Sequence, residues 1–217
     1  MSRSQRIAIG ADHGGFALKE HLKKSLQSKG YEVEDCGTHD GSRCDYPIIA
    51  AAVAERVSDG RCPRGIIIDG AGIGSSMAAN KLPGVRAALC YDLSSARNSR
   101  EHNDANVLTL GAGLIGQALA EQIADAWLTT VCTAPRHKKR VAMITALEAE
   151  VAACCAPCVA DAGGGVQASR GQELGSPDLP LAGSSVSPQN ATAQSSTGSR
   201  EHAFRASTAN WMADGPL

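Results

Sequence analysis

Between Ile66 and Lys81 the chain reads IIIDGAGIGSSMAANK: an apolar, β-branched run closes on a carboxylate, then passes through glycines at 70, 72 and 74 into small helix-forming residues. That order leaves few backbones open. A short continuous apolar run suits a strand covered on both faces, as in a parallel sheet. The glycine-spaced turn that leads straight into a helix makes the segment part of a strand–helix unit, with Asp69 and a row of free backbone N–H groups meeting at one spot. Such an arrangement suits chemistry on an anionic small molecule.

The same alternation recurs along the first 150 residues. Strand-like runs fall near 6–10, 31–36, 65–69, 85–90 and 106–110, with helical stretches between them. Leu18, Leu22 and Leu26 recur at four-residue steps beside Lys19, Lys23 and Lys24, an amphipathic helix that Gly30 ends. Further helices are expected over 115–128 and over 137–152, the second with Val141, Ile144, Leu147 and Val151 on one face, a surface for a partner subunit. These five strand–helix units predict one doubly wound parallel α/β domain over 1–150 with ligands at the carboxyl ends of its strands. Residues 151–217 differ: these 67 hold 8 Gly, 5 Pro and 9 Ser, so they are expected to form a disordered C-terminal extension.

Charge and cysteine usage exclude several function classes. The formal net charge is −1, with no basic stripe and no aromatic-rich basic run, which argues against nucleic acid. The N-terminal MSRSQRIAIGADHGG is too polar for a signal or a membrane span, so a cytoplasmic protein with no membrane contact and reduced thiols is expected. CCAPC at 154–158 offers three thiols where a structural zinc site wants four ligands, and no metal is assigned. Cys36, Cys44, Cys62, Cys90 and Cys132 read as packing residues, and His21, His39 and His137 as surface residues.

Polar residues gather where ligands are expected. The first strand runs into Asp12 and His13, the third ends at Asp69, and the connection after the fourth holds Ser99, Arg100, Glu101, His102, Asn103 and Asp104. A carboxylate, an imidazole and a glycine-lined helix start together support proton shuttling at carbon and oxygen. Taken singly, each has a plainer reading. Asp12-His13 could be a helix cap with a surface histidine. GAGIG has G-x-G-x-G spacing, not the G-x-G-x-x-G of a dinucleotide loop. RHKKR at 136–140 has the look of a solvated charged face.

Taken together they carry a family pattern. ADHGG at 11–15, DYP at 45–47, GAGIG at 70–74, AANK at 78–81, SREHNDANVL at 99–108 and RHKKR at 136–140 occur in order over residues 6–148, and the chain resembles the type B ribose-5-phosphate isomerases, a family that includes galactose-6-phosphate isomerase. The resemblance implies a Rossmann-like three-layer α/β sandwich with a five-stranded parallel sheet. It also implies a homodimer, or a tetramer built from it, with sites completed by both subunits. The activity implied is aldose–ketose isomerisation of a sugar phosphate, ribose 5-phosphate to ribulose 5-phosphate, through an enediolate with no cofactor.

Carried over by position, His102 would assist ring opening with Asp12 near it. Asn103 and the amides of Gly70, Ala71, Gly72, Ile73 and Gly74 would steady the oxyanion. His13, Arg136 and Arg140 would hold the phosphate, the arginines by bidentate pairing from across the dimer, and Tyr46 would line the sugar pocket. Two positions depart from the family pattern. Its usual base is a Cys where this chain has Asp69, and another branch has a Glu where Ser75 stands; Asp69 is therefore assigned as the base. Gly113 stands where the family commonly has a phosphate-facing Arg, which admits a tetrose, another pentose or a hexose phosphate, or a member that binds without catalysis. HAFRASTANWMADGPL at 202–217 is either a docking segment for a partner or an unselected extension.

Overall fold

A computed structural model describes residues 6–160, with side chains described through Ala153. The 202–217 segment and the side chains of Cys154, Cys155 and Cys158 lie outside the described residues. Among the described residues five strands and five helices alternate, and a sixth helix follows the fifth. They are β1 (Arg6–Ala11), α1 (Phe16–Ser28), β2 (Glu32–Asp35), α2 (Tyr46–Ser58), β3 (Arg64–Asp69), α3 (Ile73–Ala79), β4 (Ala87–Leu89), α4 (Leu93–Glu101), β5 (Val107–Gly111), α5 (Gln117–Thr129) and α6 (Pro135–Ala160).

All strand pairs are parallel, in the order β2-β1-β3-β5-β4. Alternation within the central strands builds two cores. Ile7, Ile9, Ile66, Ile68, Leu108 and Leu110 face α1 and α5, where they meet Leu18, Leu22, Leu26, Ile123 and Trp127. Ala8, Ile67 and Val107 face the other way, onto Ala50, Val53, Ala54 and Val57 of α2. Both faces are therefore covered, which accounts for the unbroken apolar strands, and the expected three layers and five parallel strands are found. The chain adds β2 on one side of β1 and β3 on the other, so the topological switch falls between β1 and β3. Asp12 and Asp69 stand at the carboxyl ends of those two strands, where ligands of such sheets bind.

The last helix begins two residues earlier and ends eight later than the spacing predicts. Pro135 opens it, where a missing N–H costs nothing, and the alanine-rich run after Val151 continues it.

One ion-pair group braces the edge of the sheet. Lys19 is fully buried, and its Nζ donates to both Asp35 oxygens at 2.8 and 2.9 Å and to the Thr38 carbonyl at 2.6 Å; Lys23 reaches Asp35 at 2.6 Å. Burial pushes the Asp35 carboxyl up, but the two ammonium groups and the Gly37 amide outweigh it and bring it down to about 2. A depressed carboxylate contributes stability that is full above its unfolded value and is lost as pH falls through the folded one. The thermal midpoint is therefore expected to fall as pH drops from about 4 to about 2, with a shallower slope over that window in Asp35→Asn. Equal slopes in the two proteins would remove this pair from the account.

Candidate active site

Asp69 ends β3 and is 5% exposed. Its Oδ1 accepts the amides of Ala71, at 2.8 Å, and Gly72; its Oδ2 accepts the amide of Ser75, at 3.1 Å, and the Ser75 hydroxyl. The carboxylate thus caps the turn that follows it and the first turn of α3. Gly72 makes the turn possible: its φ of 77° is left-handed, and a Cβ there would lie 2.5 Å from Leu89 and 3.0 Å from the Leu110 carbonyl carbon. Of the five amides expected to face an oxyanion, those of Ala71 and Gly72 are taken up by Asp69. Ile73 and Gly74, the first two helical residues, have amides with no acceptor among the described residues, as helix geometry dictates.

Around this turn the structure brings together most of what the sequence placed at the strand ends. The Asp12 amide donates to Ile68 O at 3.1 Å, and its Oδ1 accepts Gly15 N at 3.0 Å, so the carboxylate is fixed beside β3. His13 is exposed, with Nδ1 3.3 Å from the Cys44 carbonyl. Tyr46 lies against Gly74, where a Cβ would come within 2.5 Å of its ring; the missing side chain is what lets the phenol rest on α3. A second GAG, at 111–113, interlocks with the GAG at 70–72. Gly113 N donates to Gly70 O at 3.0 Å, and a Cβ on Gly111 would meet Ala71 O at 2.7 Å.

His102, Asn103, Arg136 and Arg140 lie elsewhere. The connection that holds His102 does leave the carboxyl end of β4, but α4 then runs back along the sheet. His102 caps the far end of that helix, five residues before β5 begins. Asp104 there meets Arg86, the residue just before β4, through Nη2 at 2.9 Å to its carbonyl, and Gly65 N at the start of β3 donates to Asn106 O. This is the amino end of the strands. The six residues of β3 span about 17 Å, so within one chain His102 stands a strand's length from Asp69 and from Asp12 at the neighbouring strand end.

At that amino end His102 has unforeseen company. The His137 ring stacks on it, centroids 4.1 Å apart and 16° from parallel. His137 is 4% exposed, not a surface residue, and neither ring nitrogen has a partner among the described residues. Burial, then the charges of His102, Arg136 and Arg140, hold it below the ordinary histidine value, so it is neutral near pH 7. Its spacing of four from the half-buried Val141 puts the two on one face of α6, the signal that was available in the sequence. His102 Nδ1 lies 3.1 Å from Asn98 Nδ2; with that amide donating, the imidazole proton sits on Nε2. Arg136 and Arg140 are exposed on the first turns of α6.

His39 is exposed, and His21 pairs with Glu121 at 2.7 Å. Cys36, Cys44, Cys62, Cys90 and Cys132 are free. Burial pushes the Cys36 thiol to about 11 and that of Cys62 to about 12, which suits packing and not nucleophilic work. Among the described residues no group of three His, Cys, Asp or Glu is placed to hold a metal ion, and no helix is long and apolar enough to cross a membrane.

Comparison with known proteins gives this geometry a family. Residues 7–144 match the family model described as Ribose/Galactose Isomerase. The chain is 46% identical over 144 residues to ribose-5-phosphate isomerase B of Escherichia coli, covering 66% of this chain and 97% of that protein. Among solved structures, the Clostridium thermocellum ribose-5-phosphate isomerase B is 49% identical with a TM-score of 0.66, covering 67% of this chain and 99% of that one. The Mycoplasma genitalium ribose-5-phosphate isomerase B with bound ribulose 5-phosphate is 35% identical with a TM-score of 0.65, covering 67% and 97%.

Proposed function

The chain belongs to the ribose/galactose isomerase family, and from that premise we propose that it interconverts ribose 5-phosphate and ribulose 5-phosphate through an enediolate. Its activity is that of an aldose–ketose isomerase acting on a sugar phosphate. The observation that carries the mechanism is the sheet's switch point, where a nearly buried carboxylate lies beside two unclaimed helix amides, an exposed imidazole and a phenol.

In this reading the bond from C1 to the ring oxygen breaks as that oxygen takes the His102 Nε2 proton and the anomeric hydroxyl returns its own to the same nitrogen, and Asp69 takes the proton from C2 of the open aldose. The C2–H electron pair enters the enediolate, whose oxygen is steadied by Asn103 and by the Ile73 and Gly74 amides. Asp69 delivers that proton to C1 as the O2 proton passes to O1, which leaves the C2 ketone. His13, Arg136 and Arg140 hold the phosphate, Tyr46 bounds the sugar, and Asp12 fixes the loop that carries His13.

Because His102 and Asp69 belong to opposite ends of one sheet, the reading requires a second copy, which supplies His102, Asn103, Arg136 and Arg140 to each Asp69 end. Exposed apolar side chains suit such a homodimer: Ile144, Leu147 and Val151 on α6, and Ile73 and Met77 on α3. The setting is a cytoplasmic enzyme of pentose phosphate chemistry.

Gly113 favours a second reading of substrate size. It is exposed and carries no cation toward the phosphate, so a sugar phosphate of another length or stereochemistry competes with ribose 5-phosphate. Incubating the full chain in D2O with tetrose, pentose and hexose phosphates, and following the C2 hydrogen by NMR, tests both. Exchange is expected with ribose 5-phosphate. Exchange with another member alone would move the substrate, and tight binding without exchange anywhere would make the protein a sensor.

A further inference from the structure

Four hydrogen-bond donors surround the Asp69 carboxylate, and an ionised carboxylate offers about four lone-pair positions. Three of those donors are main-chain amides fixed by the turn and by the start of α3. The fourth is the Ser75 hydroxyl, which is fully buried. A base that is to receive a proton needs a vacant lone pair. Once protonated, it needs an acceptor for the O–H it has gained. An amide N–H meets neither need, because it can neither turn away without moving the chain nor accept. A hydroxyl meets both, since it rotates about one bond and its oxygen accepts as readily as its hydrogen donates.

We infer that Ser75 is a positioning residue for Asp69, whose hydroxyl turns away to free Oδ2 for the substrate proton and then accepts the O–H that forms. The inference rests on Asp69 being the base. Ser75 itself does not touch the sugar. In the step, the C2–H bond breaks and its electron pair enters the enediolate. The proton bonds to Asp69 Oδ2, whose O–H donates to Ser75 Oγ. Delivery of that proton to C1 restores the carboxylate, and the hydroxyl donates again. No group other than substrate, carboxylate and hydroxyl takes part.

The test compares Ser75→Ala, Ser75→Thr and Asp69→Asn in the full chain, with ribose 5-phosphate as probe. Ser75→Ala is expected to lower kcat about 10- to 100-fold, the worth of one hydrogen bond to a charged group, and to leave KM within about twofold. Ser75→Thr, which keeps the hydroxyl, is expected to recover kcat to within about threefold of the wild type. A role in holding the fold alone would move the thermal midpoint and not the kcat-to-KM split. Unchanged kcat in Ser75→Ala beside an inactive Asp69→Asn overturns the inference and leaves the base in place; so do equal losses in Ser75→Ala and Ser75→Thr. Exchange that survives in Asp69→Asn removes the base reading, and the role of Ser75 with it.

Discussion

Asp69→Asn is expected to lower turnover of the sugar phosphate by about 10²- to 10⁴-fold and to abolish exchange of the C2 hydrogen with solvent. The amide has the size of the carboxylate but no basic lone pair of comparable strength. It also meets the wrong partners. If its oxygen keeps the Ala71 and Gly72 amides, its NH2 faces the Ser75 amide, and the flipped orientation sets NH2 against two N–H groups instead of one. The variant therefore loses about 1–3 kcal/mol of stability as well. The two effects separate by measurement. Thermal unfolding reads the cap, while turnover of the folded variant at saturating sugar phosphate, with calorimetric binding of that sugar, reads the chemistry. A folded, sugar-binding Asp69→Asn whose kcat is within tenfold of the wild type would reduce Asp69 to a cap of its own turn.

Two inactive variants are expected to make an active protein when mixed. If each site takes Asp69 from one copy and His102 from the other, the heterodimer of Asp69→Asn with His102→Gln has one site bearing both changes and one bearing neither. Random reassociation of equal amounts gives about half heterodimers, each with one intact site, so about a quarter of wild-type activity returns. A site contained in one chain gives none, because every chain carries a lesion. Unfolding and refolding the two variants together, against each refolded alone, makes the measurement, and sedimentation confirms the dimer. The dimer reading fails if the mixture is as inactive as its parts. Within one chain α4 carries His102 back along the sheet to the amino end, and no side-chain rotation recovers about 17 Å.

How legible the site was varied with the range of the interaction. Asp12, Asp69 and the glycine turn could be placed because each follows a strand directly, and the strand was readable from its apolar run. The second group misled because a connection that leaves a strand's carboxyl end need not stay there. His102 sits thirteen residues past the end of β4, after a nine-residue helix, and its position follows from the helix direction and not from the motif. His137 failed for a different reason. Read as one member of a charged run, it looks solvated; it is the packing of the first turn of α6, where the ring stacks on His102, that buries it. Ser75 was noted for the residue it replaces, while its bond to Asp69 depends on a turn that brings positions six apart together.

By itself, then, the sequence determined the class of fold, the strand boundaries to within a few residues and the family pattern, because period and turn chemistry act over a few residues and leave their mark in the order of side chains. Tertiary structure alone decided three things: that the carboxylate at 69 is sealed by four donors, that His102 lies against a buried His137, and that the two groups of candidate residues stand at opposite ends of one sheet. Each depends on where a helix or turn delivers its last residue in space, which is set by packing across the whole domain and not by neighbours in the chain.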